Sequence, residues 1–447
     1  MNQRAFPPTY VKAVPQLAIF TEKNKKASFI RSLLTAILSL FSCINNSSLL
    51  IFQYANRHYH CMKKILPIII FSQFLCTSLW FAGNAILPEL VQRLQLDSHF
   101  TGSITSTIQL GFIAGTLVFS LLTIADRFSP SLVFFISSIA AAVANLGMVI
   151  DGIQPATLLL LRFLTGFFLA GIYPVGMKIA SDYFKEGLGK SLGFLVGALV
   201  LGTAFPHLLK SFTISLPWKY VVYTTSLLSV IGGAAIWKWV PDGPHRKQLQ
   251  KIEFAAFTTA FKHPGFRAAA FGYFGHMWEL YAFWAFVPII LETYRQHFPS
   301  AQLPVSFLSF LVIGSGSLSC IAGGMLSARF GAKKIATAAL TVSGCCCLAS
   351  PYFLSQSNQW LLILFLLCWG LAVVADSPLF STMVAQYAPE KSRGTALTMT
   401  TCIGFLITII SIQLVNSLYT PENVSWLFVL LAIGPFLGLL GLKTQKK

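Results

Sequence analysis

The sequence predicts an all-α membrane protein of twelve membrane-spanning helices, arranged as two pseudo-symmetric bundles of six. Three observations predict it. Hydrophobic residues make up 55% of the 447 and charged residues 10%, with a mean hydropathy of +0.70, which leaves too little polar surface for a water-soluble globule. Apolar segments of about 20 residues recur from Ile65 to Leu442 with short polar breaks, the length that crosses a hydrocarbon core of about 30 Å as a helix and not as barrel strands. Parts of the first half also reappear in the second at a nearly constant offset.

The net charge of +18 excludes little by itself, but its distribution is informative. The basic residues form no stripe or soluble basic domain, so no nucleic-acid partner is expected. They sit in alternate loops. Arg127, Lys185, Lys190, Arg246, Lys247, Lys251, Lys262, Arg329, Lys333, Lys334, Lys391 and Arg393 fall on one side, against Arg93, Lys210, Lys219 and Arg295 on the other. This asymmetry places both ends of the twelve-helix body in the cytoplasm, and the expected location is the plasma membrane. The nine cysteines show no paired or metal-type spacing and receive no redox role.

In chain order, residues 1–61 do not fit the rest. A basic patch (Lys23, Lys25, Lys26, Arg31) is followed by an apolar run that Asn45 and Asn46 interrupt before it is long enough to span. Met62 opens Met62-Lys63-Lys64 before the first full apolar segment, so the working chain is expected to begin there. The stretch upstream reads as a disordered extension or an over-extended reading frame. The N-terminal half is residues 62–240. Helix 1, about 65–88, stacks Gln73, Thr77, Trp80, Asn84 and Pro88 on one face, which in lipid must look inward. Helix 2 (about 101–122) carries Gly111 and Gly115 for close packing. Helix 3 (about 131–150) is bland, helix 4 (about 156–181) contains Arg162, Gly166 and Pro174, and helices 5 and 6 cover about 188–212 and 218–240.

Residues 241–264 are the long polar break between the halves, with an amphipathic stretch whose Phe254, Phe257 and Phe261 share a side. The C-terminal half, residues 265–447, holds helices 7 to 12 at about 266–291, 304–327, 334–354, 360–384, 395–418 and 424–442. Arg127-Phe128 reappears as Arg329-Phe330, and Pro174, Tyr183 and Glu186 reappear as Pro378, Tyr387 and Glu390, three matches in one register.

The loops LLTIADRFSPS and GGMLSARFGAKK resemble the G-x-x-x-D-R-x-G-R-R loop that the major facilitator superfamily carries once in each half. Each copy is incomplete: the first keeps Asp126 and Arg127 but has Leu122 for glycine, and the second keeps Gly324, Arg329, Gly331 and Lys333 but has Ala328 for the acid. The resemblance implies that Asp126, Arg127, Gly324, Arg329 and Gly331 form a gating latch. Arg162 and Gly166 resemble the family's helix 4 motif, which implies proton coupling at Arg162. About 9 Å inside its helix, Arg162 can also snorkel to the interface, and both readings stay open. Helix 5 lacks the glycine-proline pair of the family's drug antiporters. GHMWELYAFWAF, YPVGMK and ADSP resemble a bacterial subgroup of the superfamily without an assigned substrate.

Within the apolar run Gly272 to Phe286, His276 and Glu279 are three residues apart on one helical face, Glu279 about 20 Å along helix 7. An intramembrane charge costs roughly 2.5 to 3.5 kcal/mol on insertion scales and usually marks function. Glu279 and His276, with Asp376 in helix 10, are therefore expected to carry a coupling proton or touch substrate, and Gln73 and Asn84 to face them from helix 1. The competing reading is that Glu279 only fixes helix packing. Trp80, Trp278, Tyr281 and Trp284 are candidates to line a cavity.

The expectation is a monomeric secondary transporter that rocks its halves about a central site in the lipid bilayer, moving a small-molecule substrate with a coupling proton. A drug/proton antiporter of the same fold is one alternative. A non-transporting sensor or a polytopic membrane enzyme is the other. The sequence holds no nucleotide-binding loop, metal-binding helix or nucleophile elbow, so no catalytic residue, cofactor or metal is assigned.

Overall fold

The computed structural model describes residues 52–96, 100–184, 188–212, 217–246, 254–389 and 393–443. Its regular structure is helical throughout, and the compact body is Met62–Lys447. Lys185, Glu186, Lys247, Lys251, Glu390, Lys391 and the extension up to residue 51 lie outside the described residues.

Eleven described helices are long and apolar enough to cross a membrane. They are α2 (Phe100–Leu121), α3 (Pro130–Val149), α4 (Pro155–Tyr183), α5 (Leu188–Phe212), α6 (Lys219–Trp239), α7 (Pro264–His297), α8 (Val305–Phe330), α9 (Ala332–Leu354), α10 (Gln359–Tyr387), α11 (Arg393–Leu418) and α12 (Val424–Lys443). Before them comes α1, Phe52–Thr77, whose apolar stretch Ile65–Thr77 is shorter than the others. The continuous helix expected over 65–88 is interrupted: Ser78 to Phe81 form turns, and short helices Ala82–Ala85 and Leu87–Leu94 follow. Around Leu110, Val143, Leu227, Leu318, Leu364 and Ile410 the body exposes apolar side chains outward, the surface that lipid covers.

Three helices break, two of them at prolines. In α4 the first segment ends at Leu169 and the second starts at Tyr173; in α10 they are Gln359–Ala372 and Ser377–Tyr387. Pro174 and Pro378, the repeated prolines, each sit at the second residue of the new segment, where a missing N–H costs nothing and the ring would clash with the carbonyl four residues back. In α1 no proline marks the break. At the break the hydroxyls of Thr77 and Ser78 donate to the carbonyls of Gln73 (2.8 Å) and Leu75 (2.7 Å) in the preceding turn. The amides of Leu79 and Trp80 then bond only three residues back, to Cys76 and Thr77. By contrast α7 runs unbroken for 34 residues past Pro288.

Glycines let the seams close. The space a side chain would take at Gly111 and Gly115 holds the backbone carbonyls of Phe163 and Phe167, so α2 and α4 touch backbone to backbone, as the small-residue spacing predicts. The halves meet along α5–α8 and α2–α11. A side chain at Gly193 would stand 3.0 Å from the Cys320 carbonyl and 3.3 Å from Gly324 Cα. Between α2 and α11 the contacts run from end to end. The Gly102 amide donates to Asn416 Oδ1 (3.1 Å), Gln413 Nε2 to Ser106 Oγ (2.9 Å) and Thr408 to Gln109, and Ser120 Oγ lies 3.2 Å from Thr398 Oγ1. The amphipathic stretch between the halves is a helix, Phe254–Lys262, whose Phe257 and Phe261 pack edge-on against Phe266 of α7.

Candidate functional site

The sequence expectation grouped His276 and Glu279 as one unit; α7 instead sends them to different partners. Glu279, 1% exposed, turns toward α9 and α10. Its Oε1 accepts from Trp369 Nε1 (2.6 Å) and Cys347 Sγ (3.2 Å), and its Oε2 accepts from Ser343 Oγ (2.9 Å). Three donors thus converge on one carboxylate inside the C-terminal half. His276, also 1% exposed, faces the break of α10, where its Nδ1 lies 2.8 Å from Oδ1 of Asp376. The two face each other as an ion pair, while neither oxygen of Asp376 has a hydrogen bond, nor does His276 Nε2. The two buried acids therefore differ in kind: Glu279 is satisfied and Asp376 is not. An unsatisfied buried polar group costs about 1–3 kcal/mol, more if charged. Asp376 stands 17 residues from Gln359 and 11 from Tyr387, at the break of its crossing and nearer the Tyr387 end.

Between the halves lies a core of aromatic rings. Trp80 from the α1 break packs on Phe112 of α2 (4.9 Å between centroids), Phe405 of α11 (5.7 Å) and Tyr281 of α7 (5.8 Å). Tyr281 continues to Trp284 at 5.3 Å, and Trp284 meets Phe81 at 6.4 Å. All are buried, yet the indole N–H groups of Trp80 and Trp284 have no acceptor. Trp278 does not join them: its Nε1 donates to the Leu430 carbonyl (3.2 Å), beneath Gly434 of α12.

Helix 1 contributes its polar side chains elsewhere than expected. Gln73 is buried where a side chain at Gly176 of α4 would lie, with neither amide atom hydrogen-bonded. Asn84 Nδ2 donates to Thr105 Oγ1 of α2 at 2.7 Å, leaving its Oδ1 without a partner. Both turn toward neighbours in their own half. Arg162 is fully buried and does not snorkel outward. Its guanidinium donates to the carbonyls of Leu79 (3.3 Å) and Trp80 (2.5 Å) at the α1 break and to Asn145 Oδ1 (3.3 Å). Asn145 was hidden in the helix that read as bland; a buried amide in an apolar run is the signal that marks it.

The loop residues assemble around the end of α4. Asp126 Oδ1 lies 2.8 Å from Lys178 Nζ, which is 3.7 Å from Asp182. Arg127 Nε donates to Thr123 Oγ1 (3.1 Å), and Arg246 Nη2 donates to the carbonyls of Asp126 and Phe128, both at 2.8 Å. Lys178 and Arg246 were missed in the sequence because neither belongs to the repeated loop. In the second copy Arg329 lies over the Phe330 ring at 5.2 Å. Gly331 ends α8 with φ of 86°, a conformation that favours glycine, and Gly324 packs on α5.

Residues 69–412 match the family profile described as Major Facilitator Superfamily. A curated relative, the 4-hydroxybenzoate transporter PcaK of Acinetobacter baylyi, is 22% identical over 388 residues, 78% of this chain and 82% of that one. The fold is similar to the crystal structure of the human organic anion transporter MFSD10 (TETRAN), with a TM-score of 0.67 at 14% identity, over 85% of this chain and 99% of that chain.

Proposed function

This chain belongs to the Major Facilitator Superfamily, a family of secondary transporters, and on that premise we propose that it carries an aromatic carboxylate across the membrane together with protons. One observation carries the substrate class: aromatic rings from α1, α2, α7 and α11, contributed by both halves, enclose two indole N–H groups that lack acceptors. Ring faces suit a planar aromatic body and N–H donors suit carboxylate oxygens. The name of the relative that transports 4-hydroxybenzoate points the same way.

Protons enter through His276 and Asp376. Asp376 lies at a helix break without a hydrogen-bond donor, so protonation, or a change of partner as the halves rock, removes a cost that the fold otherwise bears. Glu279, held by three donors, keeps α7 seated on α9 and α10 during that motion. The seam α2–α11, closed at both ends, suits an occluded intermediate. The basic loops orient both ends of the body to the cytoplasm of a plasma membrane. One copy suffices, since both halves of one chain enclose the centre.

Counterflow in proteoliposomes tests the substrate. Labelled 4-hydroxybenzoate should exchange against unlabelled benzoates and not against acetate, and Trp80→Ala with Trp284→Ala should abolish exchange. A folded protein that exchanges no aromatic carboxylate would overturn the assignment.

A further inference from the structure

We propose that Arg162 is a positioning residue: it fastens the unwound stretch of α1, and so sets where Trp80 meets the opposite half. The inference rests on the aromatic core being the substrate site. A fully buried guanidinium is costly unless its donors are taken up, and Arg162 has no carboxylate among its described partners. A broken helix leaves carbonyls that no amide four residues on can reach. Each supplies what the other lacks. Nη2 donates to Trp80 O at 2.5 Å, and Nη1 and Nη2 each lie 3.3 Å from Leu79 O.

The guanidinium is itself aimed from behind. Asn145 of α3 gives its amide hydrogens to Ser226 Oγ (2.9 Å), Thr225 Oγ1 (3.3 Å) and Val222 O (3.4 Å) of α6, which leaves its Oδ1 to accept from Arg162 at 3.3 Å. Just past the break, a side chain at Gly83 would stand 3.1 Å from Arg162 Nε, so the chain runs directly over the guanidinium. A line of buried polar contacts thus leads from α6 through Asn145 and Arg162 to the backbone of Trp80. From there the Trp80 ring reaches Tyr281 and Phe405 in the other half.

The test uses the full chain labelled with 5-fluorotryptophan, in which the fluorine resonance of Trp80 is identified by its loss in Trp80→Phe. Arg162→Met should move that resonance and raise the half-saturation concentration for 4-hydroxybenzoate counterflow about tenfold, with a smaller change in maximal rate. Arg162→Lys, which can reach the carbonyls but not Asn145 as well, should fall between, and Asn145→Ala should shift both readouts in the same direction. If Arg162→Met does not fold, the other two variants carry the test. An unmoved Trp80 resonance in the folded variants overturns the inference, and so does a moved resonance with wild-type half-saturation. Normal counterflow in Trp80→Ala would instead reject the aromatic core as the substrate site, while the resonance still reports whether Arg162 holds Trp80.

Discussion

At the scale of single residues, the two buried acids of the C-terminal half behave differently because their neighbours do. Removing the indole donor to Glu279 with Trp369→Phe should destabilise the protein by about 1.5–3 kcal/mol, the range for a hydrogen bond to a charged group, read as a lower melting temperature in detergent. The outer ion pairs should matter less. Lys219 and Arg93 hold the Asp151 carboxyl well below the usual range, at about 2. A carboxylate depressed in this way contributes stability above its unfolded value and loses it only as pH falls through about 2. The effect of Asp151→Asn should therefore be small, constant from pH 5 to 8 and erased by salt; a pH-dependent effect in that window would contradict this. His276 and Glu279 were legible in the sequence because ionisable residues stand out in an apolar run. Asp376 stood out in the same way, but the partners of Glu279 did not: Trp369, Ser343 and Cys347 lie on other helices, where sequence spacing carries no information about contact.

At the scale of elements, Pro174 and Pro378 were read only as a repeat at one offset within continuous helices, and the structure shows that each opens a new segment. Removing the ring clash with Pro378→Ala should let the helix extend back through Asp376 and slow substrate exchange severalfold, with thermal stability unchanged or slightly lowered. Thermal shift and initial exchange rates on the same preparation check it, and faster exchange would speak against a working break. The break in α1 could not be read, since no proline marks it and the guanidinium that takes up its carbonyls comes from another helix. The polar face predicted for helix 1 holds only up to that break, beyond which the turn rotates Asn84 toward α2 and Trp80 toward the opposite half. The loop motifs marked Asp126 but not its partner, because Lys178 lies two crossings further along the chain.

At the scale of the whole molecule, the fold class followed from hydropathy and internal repetition, whereas the seams depend on side-chain packing between distant segments. If the halves rock, the α2–α11 seam must open at alternate ends. A disulfide between Ser120→Cys and Thr398→Cys, whose hydroxyls stand 3.2 Å apart, should stop exchange until it is reduced. Undiminished exchange in the fully cross-linked protein would exclude a rocking motion that separates those ends. The central claim is that Asp376 and His276 couple protons to the movement of an aromatic carboxylate. Proteoliposomes holding Asp376→Asn and a lumenal pH dye measure it most directly. The account predicts that counterflow of 4-hydroxybenzoate persists while accumulation driven by a pH gradient, and substrate-induced acidification of the lumen, both vanish. Accumulation and acidification at wild-type levels in that variant would contradict it.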